Sequence, residues 1–362
     1  MSIATDILFL RHQLNHFGTH SGYEIFIDQL NDQQISHDQV TRQRSINKYD
    51  WYKRFYLSRI YKKRPAQIGQ FYNFFSYLAE RDAIKSATLC NAKIIHTTFL
   101  EDNYGFLGYF KKNNPVKLVA TAHMPVSWWK YIRKNMAPLK DLDFLITLTT
   151  REKNFFEDFL PGKVRLTHHG VDTDFFIPGK PFAERPLRIL LVGNLFRDFI
   201  FFEKVISVIL ENNSDILIDM VCAPQNEMHY PVYKLSRFPQ VTLHYQISDE
   251  KLLRLYQDSR ILFLPLIDGT ANNAILEAAS CGLPVVTTDL EGTREYSSPS
   301  YAYYYKNKND CLEYLLHAIR DDTGLEKKSL FARTFVLNNN TIPKVASEHA
   351  EIYRELMSGS RI

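Results

Sequence analysis

The chain has 362 residues, 45% of them hydrophobic and 23% charged, which is too apolar for a disordered polypeptide and too long for one core, so two domains are expected. Lys plus Arg numbers 44 against 40 for Asp plus Glu, and this balance of +4 excludes a protein coated in positive charge for nucleic acid. Cys90, Cys222, Cys281 and Cys311 stand far apart without a C-x-x-C, which argues against a disulfide framework or a zinc site and points to a reducing compartment.

The first segment, ATDILFLRHQLNHFG, contains an expected strand, DILFL. Its apolar run from Ile7 to Leu10 lies between Asp6 and Arg11, too short and too charged for a signal peptide. No uncharged apolar stretch approaches a membrane span, so the reading is a soluble cytoplasmic protein. His12, His16 and His20 recur at a spacing of four, but Gly18 interrupts the pattern, and a loop is expected in preference to a metal-binding helix face. Ser21-Gly22-Tyr23-Glu24 then spells a capping box that would start a helix.

Between Arg42 and Arg64 the sequence RQRSINKYDWYKRFYLSRIYKKR holds nine basic residues and one acid, a local +8 that leaves the rest of the chain at −4. Tyr49, Trp51, Tyr52, Phe55, Tyr56 and Tyr61 are interleaved with these cations. Aromatic rings at headgroup level with cations near anionic lipid make an interfacial segment, so Lys53, Arg54, Lys62 and Lys63 are candidate contacts to an anionic membrane surface or a lipid-linked acceptor. A solvated segment packing its rings on the N-terminal domain is the alternative. Single-stranded nucleic acid would suit the same mixture, but the chain has no recognised nucleic-acid module, and no nucleic-acid partner is expected.

Further along, KIIH, KLVAT and DFLIT read as strands in the first half, and RILLV, DILIDMV, VTLHY, ILFLP and PVVTT in the second. Segments such as DEKLLRLYQDS and ANNAILEAASCG between them suit helices. Continuous apolar strands alternating with helices predict two doubly wound α/β units. Ile177 to Pro186, IPGKPFAERP, has the composition of a linker. The expected organisation is a domain over 1–176, a linker over 177–186, a second domain over 187–342, and a terminal helix over 343–362. That helix carries Val345, His349, Ile352 and Leu356 at helical spacing, and is expected to pack back on the first domain.

Neither G-x-G-x-x-G nor G-x-x-x-x-G-K-[ST] occurs, which removes the main support for hydride transfer and for ATP hydrolysis. Two D-x-D triplets, Asp141-Leu142-Asp143 and Asp172-Thr173-Asp174, could hold a divalent ion on a sugar-nucleotide diphosphate. The first runs directly into a strand and the second adjoins the linker, so a structural role is expected and no metal.

The most informative segment is ILFLPLIDGTANNAILEAASCGLPVVTTD, in which a strand ends at Pro265, a polar loop follows, and a helix begins near Ala271. Amides at such a helix start attract phosphate. Thr270, Asn273 and Glu277 would share one helix face, spanning roughly 10 Å, the reach from an outer phosphate to a ribose. A solvated glutamate on an ordinary helix is the competing reading of Glu277.

This half resembles the nucleotide-binding domain of the family-4 retaining glycosyltransferases of the GT-B fold. The resemblance runs in order through KLVATAHMP, LDFLITLTTREKNFF, VRLTHHGVDTDFFIP, LRILLVGNLFRDF, VTLHYQISDEKLLRLYQDSRILFLPL and DGTANNAILEAASCGLPVV, from about Lys117 to Asp289. It implies two Rossmann-like domains facing each other across a cleft. Glu277 matches the second glutamate of the family's paired-glutamate motif, which holds the nucleotide ribose. Arg197 falls where the family places basic side chains on the donor diphosphate, in a loop with Gly193 and Asn194. His123 matches the active-site histidine near the donor sugar and phosphate. Gly269, Thr270, Ala271, Asn272 and Asn273 form the donor-binding helix start, while Ser21 and Gly22 face the substrates on the acceptor side. The family's first glutamate is replaced by Gly269, which leaves Asp268 as the candidate catalytic acid group. Its Arg and Lys after the glycine are replaced by Asn194 and Arg197 in a shorter loop.

The implied activity is transfer of a sugar, with retention, from a nucleotide-diphosphate sugar to a glycan or lipid-linked acceptor in surface polysaccharide or glycolipid biosynthesis. An Arg fork on the leaving diphosphate makes a metal unnecessary, and no cofactor is expected because the nucleotide sugar is a substrate. A nucleotide-sugar epimerase of the same fold and a non-catalytic nucleotide-sugar-binding protein are the alternatives.

Overall fold

The computed structural model describes residues 5–11, 18–41, 55, 59, 71–111, 114–132 and 136–359. Apart from Phe55 and Arg59, the basic aromatic stretch lies outside the described residues, and with it Lys53, Arg54, Lys62 and Lys63; so do His12 and His16. The chain divides into two units, one made of Met1–Asn15, Phe26–His168 and Val345–Ile362, the other of His16–Ile25 and His169–Lys344.

The first unit is built on a six-stranded sheet in the order β2-β1-β3-β4-β5-β6, all pairs parallel. The strands are β1 (Ile7–Arg11), β2 (His37–Thr41), β3 (Ile94–Thr97), β4 (Lys117–Ala122), β5 (Phe144–Thr147) and β6 (Val164–Leu166). β3 and β5 are buried along their whole length, as continuous apolar strands covered on both faces must be. The edge strand β2, HDQVT, is mostly solvated, and β6 is only three residues long, so neither shows an apolar run.

The helix Phe74–Leu89 is capped by Asn73, and it presents Ala79, Ala83 and Ala87 as small buried residues. Between them Glu80 is fully buried. Its carboxylate accepts the amides of Gly105, Phe106 and Leu107 at 2.5–3.2 Å and the Tyr72 hydroxyl at 2.5 Å. Burial pushes its pKa up to about 7, against those hydrogen bonds.

The last helix, Ile342–Ser358, tolerates Pro343 because an amide in the first turn has no partner within the helix. Val345, Ala346, His349, Ala350, Ile352 and Tyr353 are buried in the first unit, and Leu356 only partly. His349 stacks on Phe26 with centroids 4.0 Å apart, and the Tyr353 hydroxyl meets His96 Nδ1 at 2.7 Å.

The second unit carries another parallel six-stranded sheet, ordered β12-β11-β10-β7-β8-β9. Its strands are β7 (Arg188–Val192), β8 (Leu217–Val221), β9 (Val241–His244), β10 (Ile261–Leu264), β11 (Val285–Thr288) and β12 (Ala302–Tyr305). The sequence order reverses between β7 and β10, and the carboxyl ends of two strands at such a switch point leave a crevice for a ligand. Ile177–Pro186 belongs to this unit and is anchored to it at Phe182 and Arg185, while most of its other residues are exposed. Phe182 is fully buried, its amide donates to Glu326 Oε1 at 2.7 Å, and the Arg185 guanidinium lies 3.9 Å from its ring centroid. A 3-10 helix over Phe182–Glu184 sits between the exposed stretches and is what the two anchors hold.

Candidate functional site

After β7 the chain turns at Gly193, whose φ of +98° is left-handed, and runs through Asn194 to Arg197. The left-handed backbone requires glycine, and a Cβ there would stand 2.5 Å from Arg197 Nη2, so a side chain at this position would also displace the guanidinium. Asn194 braces the loop, its Oδ1 accepting the Ala223 amide at 2.5 Å and Asn226 Nδ2 at 2.7 Å. Arg197 donates Nε to the Val192 carbonyl and Nη1 to the Leu195 carbonyl, both at 2.9 Å, and Nη2 to Asn272 Oδ1 at 3.4 Å. All three acceptors are neutral. Burial lowers its pKa to about 10, with Tyr256 and Glu277 pulling the other way, so the side chain remains a cation at neutral pH.

The loop after β10 meets this one. Ile267 donates its amide to the Phe196 carbonyl at 2.9 Å, and Asp268 Oδ1 accepts the Gly269 amide at 2.8 Å. Around Gly269 the nearest atom to a Cβ would be Leu266 Cδ1 at 3.6 Å, an ordinary contact, so space does not dictate glycine there. Crowding appears instead at Gly292, where a Cβ would lie 2.4 Å from the Gly269 carbonyl oxygen.

The following helix is Asn273–Ser280, with Asn272 as its cap, Oδ1 accepting the Ala274 amide at 3.1 Å. It starts two residues later than its sequence suggests, because Asn272 takes the cap. Thr270 and Ala271 therefore precede the helix, and the shared face holds for Asn273 and Glu277 but not for Thr270. Glu277 is 4% exposed. Oε1 accepts the Ser21 hydroxyl and Oε2 the Tyr256 hydroxyl, each at 2.8 Å, and burial raises the carboxyl's pKa despite both bonds.

Ser21 and Gly22 group with this second unit. Ser21 does not form the capping box: its hydroxyl goes to Glu277, Gly22 has φ of +110°, and a 3-10 helix follows over Tyr23–Leu30. His20 beside it stacks on Phe175 with centroids 3.8 Å apart and directs Nδ1 at Asp172 Oδ2 at 2.7 Å. Asp172 Oδ1 accepts the amides of Asp174 and Phe175, so one triplet is occupied by the chain itself. In the other, Asp143 sits 2.6 Å from Lys111 Nζ and 3.3 Å from Lys117 Nζ.

His123 belongs to the first unit, directly after β4. Its ring stacks on Phe99 at 4.3 Å, and Nε2 lies 2.8 Å from the Thr98 carbonyl oxygen. A carbonyl only accepts, so Nε2 carries a proton and the lone pair of the neutral ring is on Nδ1. Glu101 Oε1 accepts the amides of His123 and Met124 at 2.6 and 2.7 Å. This carboxyl is 2% exposed, Oε2 finds no partner among the described residues, and burial pushes its pKa up to about 7. Glu101, Tyr256 and Gly292 are absent from the sequence reading. None lies in a spacing pattern, and only the fold shows that their neighbours are His123, Glu277 and Gly269.

Residues 186–321 match the family model for glycosyl transferases group 1. Among solved structures, a sucrose-phosphate synthase from Thermosynechococcus elongatus superposes with a TM-score of 0.74 at 16% identity, covering 98% of this chain and 100% of that one. A UDP-forming α,α-trehalose-phosphate synthase from Burkholderia vietnamiensis gives 0.72 at 11% identity, covering 99% and 100%. Anabaena HepE in complex with UDP-glucose gives 0.66 at 12% identity, covering 98% and 100%. These structures share the fold of this chain. No curated protein matches it by sequence.

The close approach at Gly292 yields a test of the loop's role. Gly292→Ala should leave the protein folded but push the Gly269 carbonyl aside, weakening binding of nucleoside diphosphate by about tenfold, equivalent to about 1.4 kcal/mol. Calorimetric titration with an unchanged dissociation constant would show that the 268–270 loop does not shape the site.

Proposed function

We propose that this chain, a GT-B protein with a glycosyltransferase group 1 domain over residues 186–321, is a retaining, metal-independent glycosyltransferase. It takes a sugar from a nucleoside diphosphate sugar and delivers it to a hydroxyl of a glycan or lipid-linked acceptor. The observation that carries this reading is Arg197. A half-buried guanidinium bonded, among the described residues, to two carbonyls and an amide oxygen and to no carboxylate has N–H donors left over, with Glu277 acting on its charge only through space. It stands at the carboxyl end of β7, at the switch point, where a diphosphate can supply both the missing charge and the missing acceptors. UDP-glucose in the HepE complex belongs to the same class of ligand.

In this mechanism the bond between the anomeric carbon and the donor phosphate oxygen breaks, and its electron pair passes to the diphosphate. Arg197 stabilises the charge that grows there, which is the kind of interaction that accelerates the step itself. The acceptor hydroxyl oxygen forms the new bond to the anomeric carbon on the same face and passes its proton to the departing phosphate oxygen, giving retention. Glu277 holds the ribose, and His123 keeps the role that the resemblance gives it, near the donor sugar.

Arg197→Ala should fold normally and lower kcat by about 100-fold or more, the effect expected on losing one charge-stabilising donor. Chelator should leave the wild-type rate unchanged, and proton NMR of the product should show the donor's anomeric configuration. Strict dependence on a divalent ion or an inverted product would contradict the mechanism. Turnover without acceptor would favour an epimerase.

The sequence of residues 42–64 extends the proposal to a reversible position on an anionic membrane, where each engaged cation contributes about 1 kcal/mol. Reversing Lys53, Arg54, Lys62 and Lys63 to Glu should abolish co-sedimentation with phosphatidylserine vesicles at low salt while preserving transfer to a short soluble acceptor. A wild-type protein that stays in the supernatant would remove the membrane from this account.

A further inference from the structure

Glu277 is held from two directions that differ in kind. Tyr256 belongs to the helix Asp249–Asp258, is fully buried, and donates to Oε2 at 2.8 Å from within the core. Ser21 donates to Oε1 at the same distance from an irregular segment. That segment is anchored by the His20 amide on Asp249 Oδ2 at 3.1 Å, by the His20 ring on Asp172 and Phe175, and by Tyr23, 3% exposed with its ring on His169. The Ser21 side chain itself is only half-buried, and its hydroxyl can turn off Oε1 about one bond without disturbing packing, whereas the Tyr256 ring is fixed in the core.

A buried carboxylate requires hydrogen bonds at each oxygen, and losing one costs far more than swapping it for an equivalent donor. Removing the Ser21 hydroxyl while bringing in a ribose hydroxyl conserves the number of bonds to Glu277. Exchanging Tyr256 would need the core to open. We propose that Tyr256 is the positioning residue that turns Glu277 so that only Oε1 meets the ligand, and that Ser21 is the resident partner which one ribose hydroxyl of the donor replaces.

The proposal rests on Glu277 as the ribose-binding residue and adds a stereochemical consequence. A carboxylate that presents both oxygens can take one ribose hydroxyl on each. With Oε2 turned into the core by the buried Tyr256, Glu277 presents Oε1, and the hydroxyl that takes the place of Ser21 is the one it holds. The site then discriminates between the two hydroxyl positions, and the segment around Ser21 must yield before the donor is seated.

Calorimetric titration of the full chain with uridine and guanosine diphosphates, followed by the 2′-deoxy and 3′-deoxy forms of whichever binds, tests this directly. One deoxy form should bind about tenfold or more weakly and the other within about twofold of the parent. Equal losses for both overturn the single-oxygen contact. Tyr256→Phe, which keeps the ring in the core, should melt close to the wild type yet reduce the discrimination to less than about threefold. Retained discrimination overturns the positioning role. Ser21→Ala should tighten binding of the parent nucleotide, and weaker binding would make Ser21 a ligand contact in place of an exchanged partner. If the folded wild-type protein binds neither nucleoside diphosphate, the donor reading fails and the inference with it. Binding without discrimination fails the inference alone.

Discussion

A guanidinium taken partly out of water needs compensation, and at Arg197 the chain offers two carbonyls and one amide oxygen instead of a carboxylate. Much of the surrounding loop structure follows from accommodating that group. Gly193, in a left-handed conformation, leaves the guanidinium room beside it, and Asn272 both caps the helix Asn273–Ser280 and reaches Nη2. The amide of Ile267 donates to the Phe196 carbonyl and ties the two strand ends at the switch point together. A cation fixed by neutral groups keeps its full charge for a ligand, whereas one paired with Asp or Glu would have spent it.

Buried glutamates serve a related purpose in the first unit. Glu80 collects the amides of residues 105–107, Glu101 those of His123 and Met124, and Glu152 that of Val126. Each one fixes a turn whose backbone donors have no ladder to join. Burial raises the pKa of Glu80 and Glu101 to about 7, so both turns are tied by carboxyls that change protonation near neutrality. At His123 this arrangement settles the backbone through Glu101 while the Thr98 carbonyl settles the ring.

The two parallel sheets are legible in the sequence because their inner strands are buried on both faces, and such strands are written as apolar runs: DILFL, KLVAT, RILLV and ILFLP fall on β1, β4, β7 and β10. β2 is not legible, since an edge strand needs no apolar face, and β12, AYYY, is hidden by tyrosines that suit a loop equally well. Glu277 stands out through its helical spacing from Asn273, and Arg197 through the resemblance to the family-4 glycosyltransferases. Tyr256 does not, because nothing in a helical repeat tells which aromatic hydroxyl reaches a carboxylate 21 residues away. Ser21 is misread for a similar reason: a serine three residues before a glutamate spells a local cap, and the competing partner lies 256 residues along the chain.

The central claim is that the second unit binds a nucleoside diphosphate with Arg197 on the phosphates and Glu277 on the ribose. Isothermal titration of uridine and guanosine diphosphates into wild-type protein and Glu277→Ala tests it most directly. The account predicts that the variant, shown to be folded by its circular dichroism, loses about 1.5–3 kcal/mol of binding free energy, as expected for a charge-assisted hydrogen bond to a ligand. Equal affinity in the two proteins would contradict it.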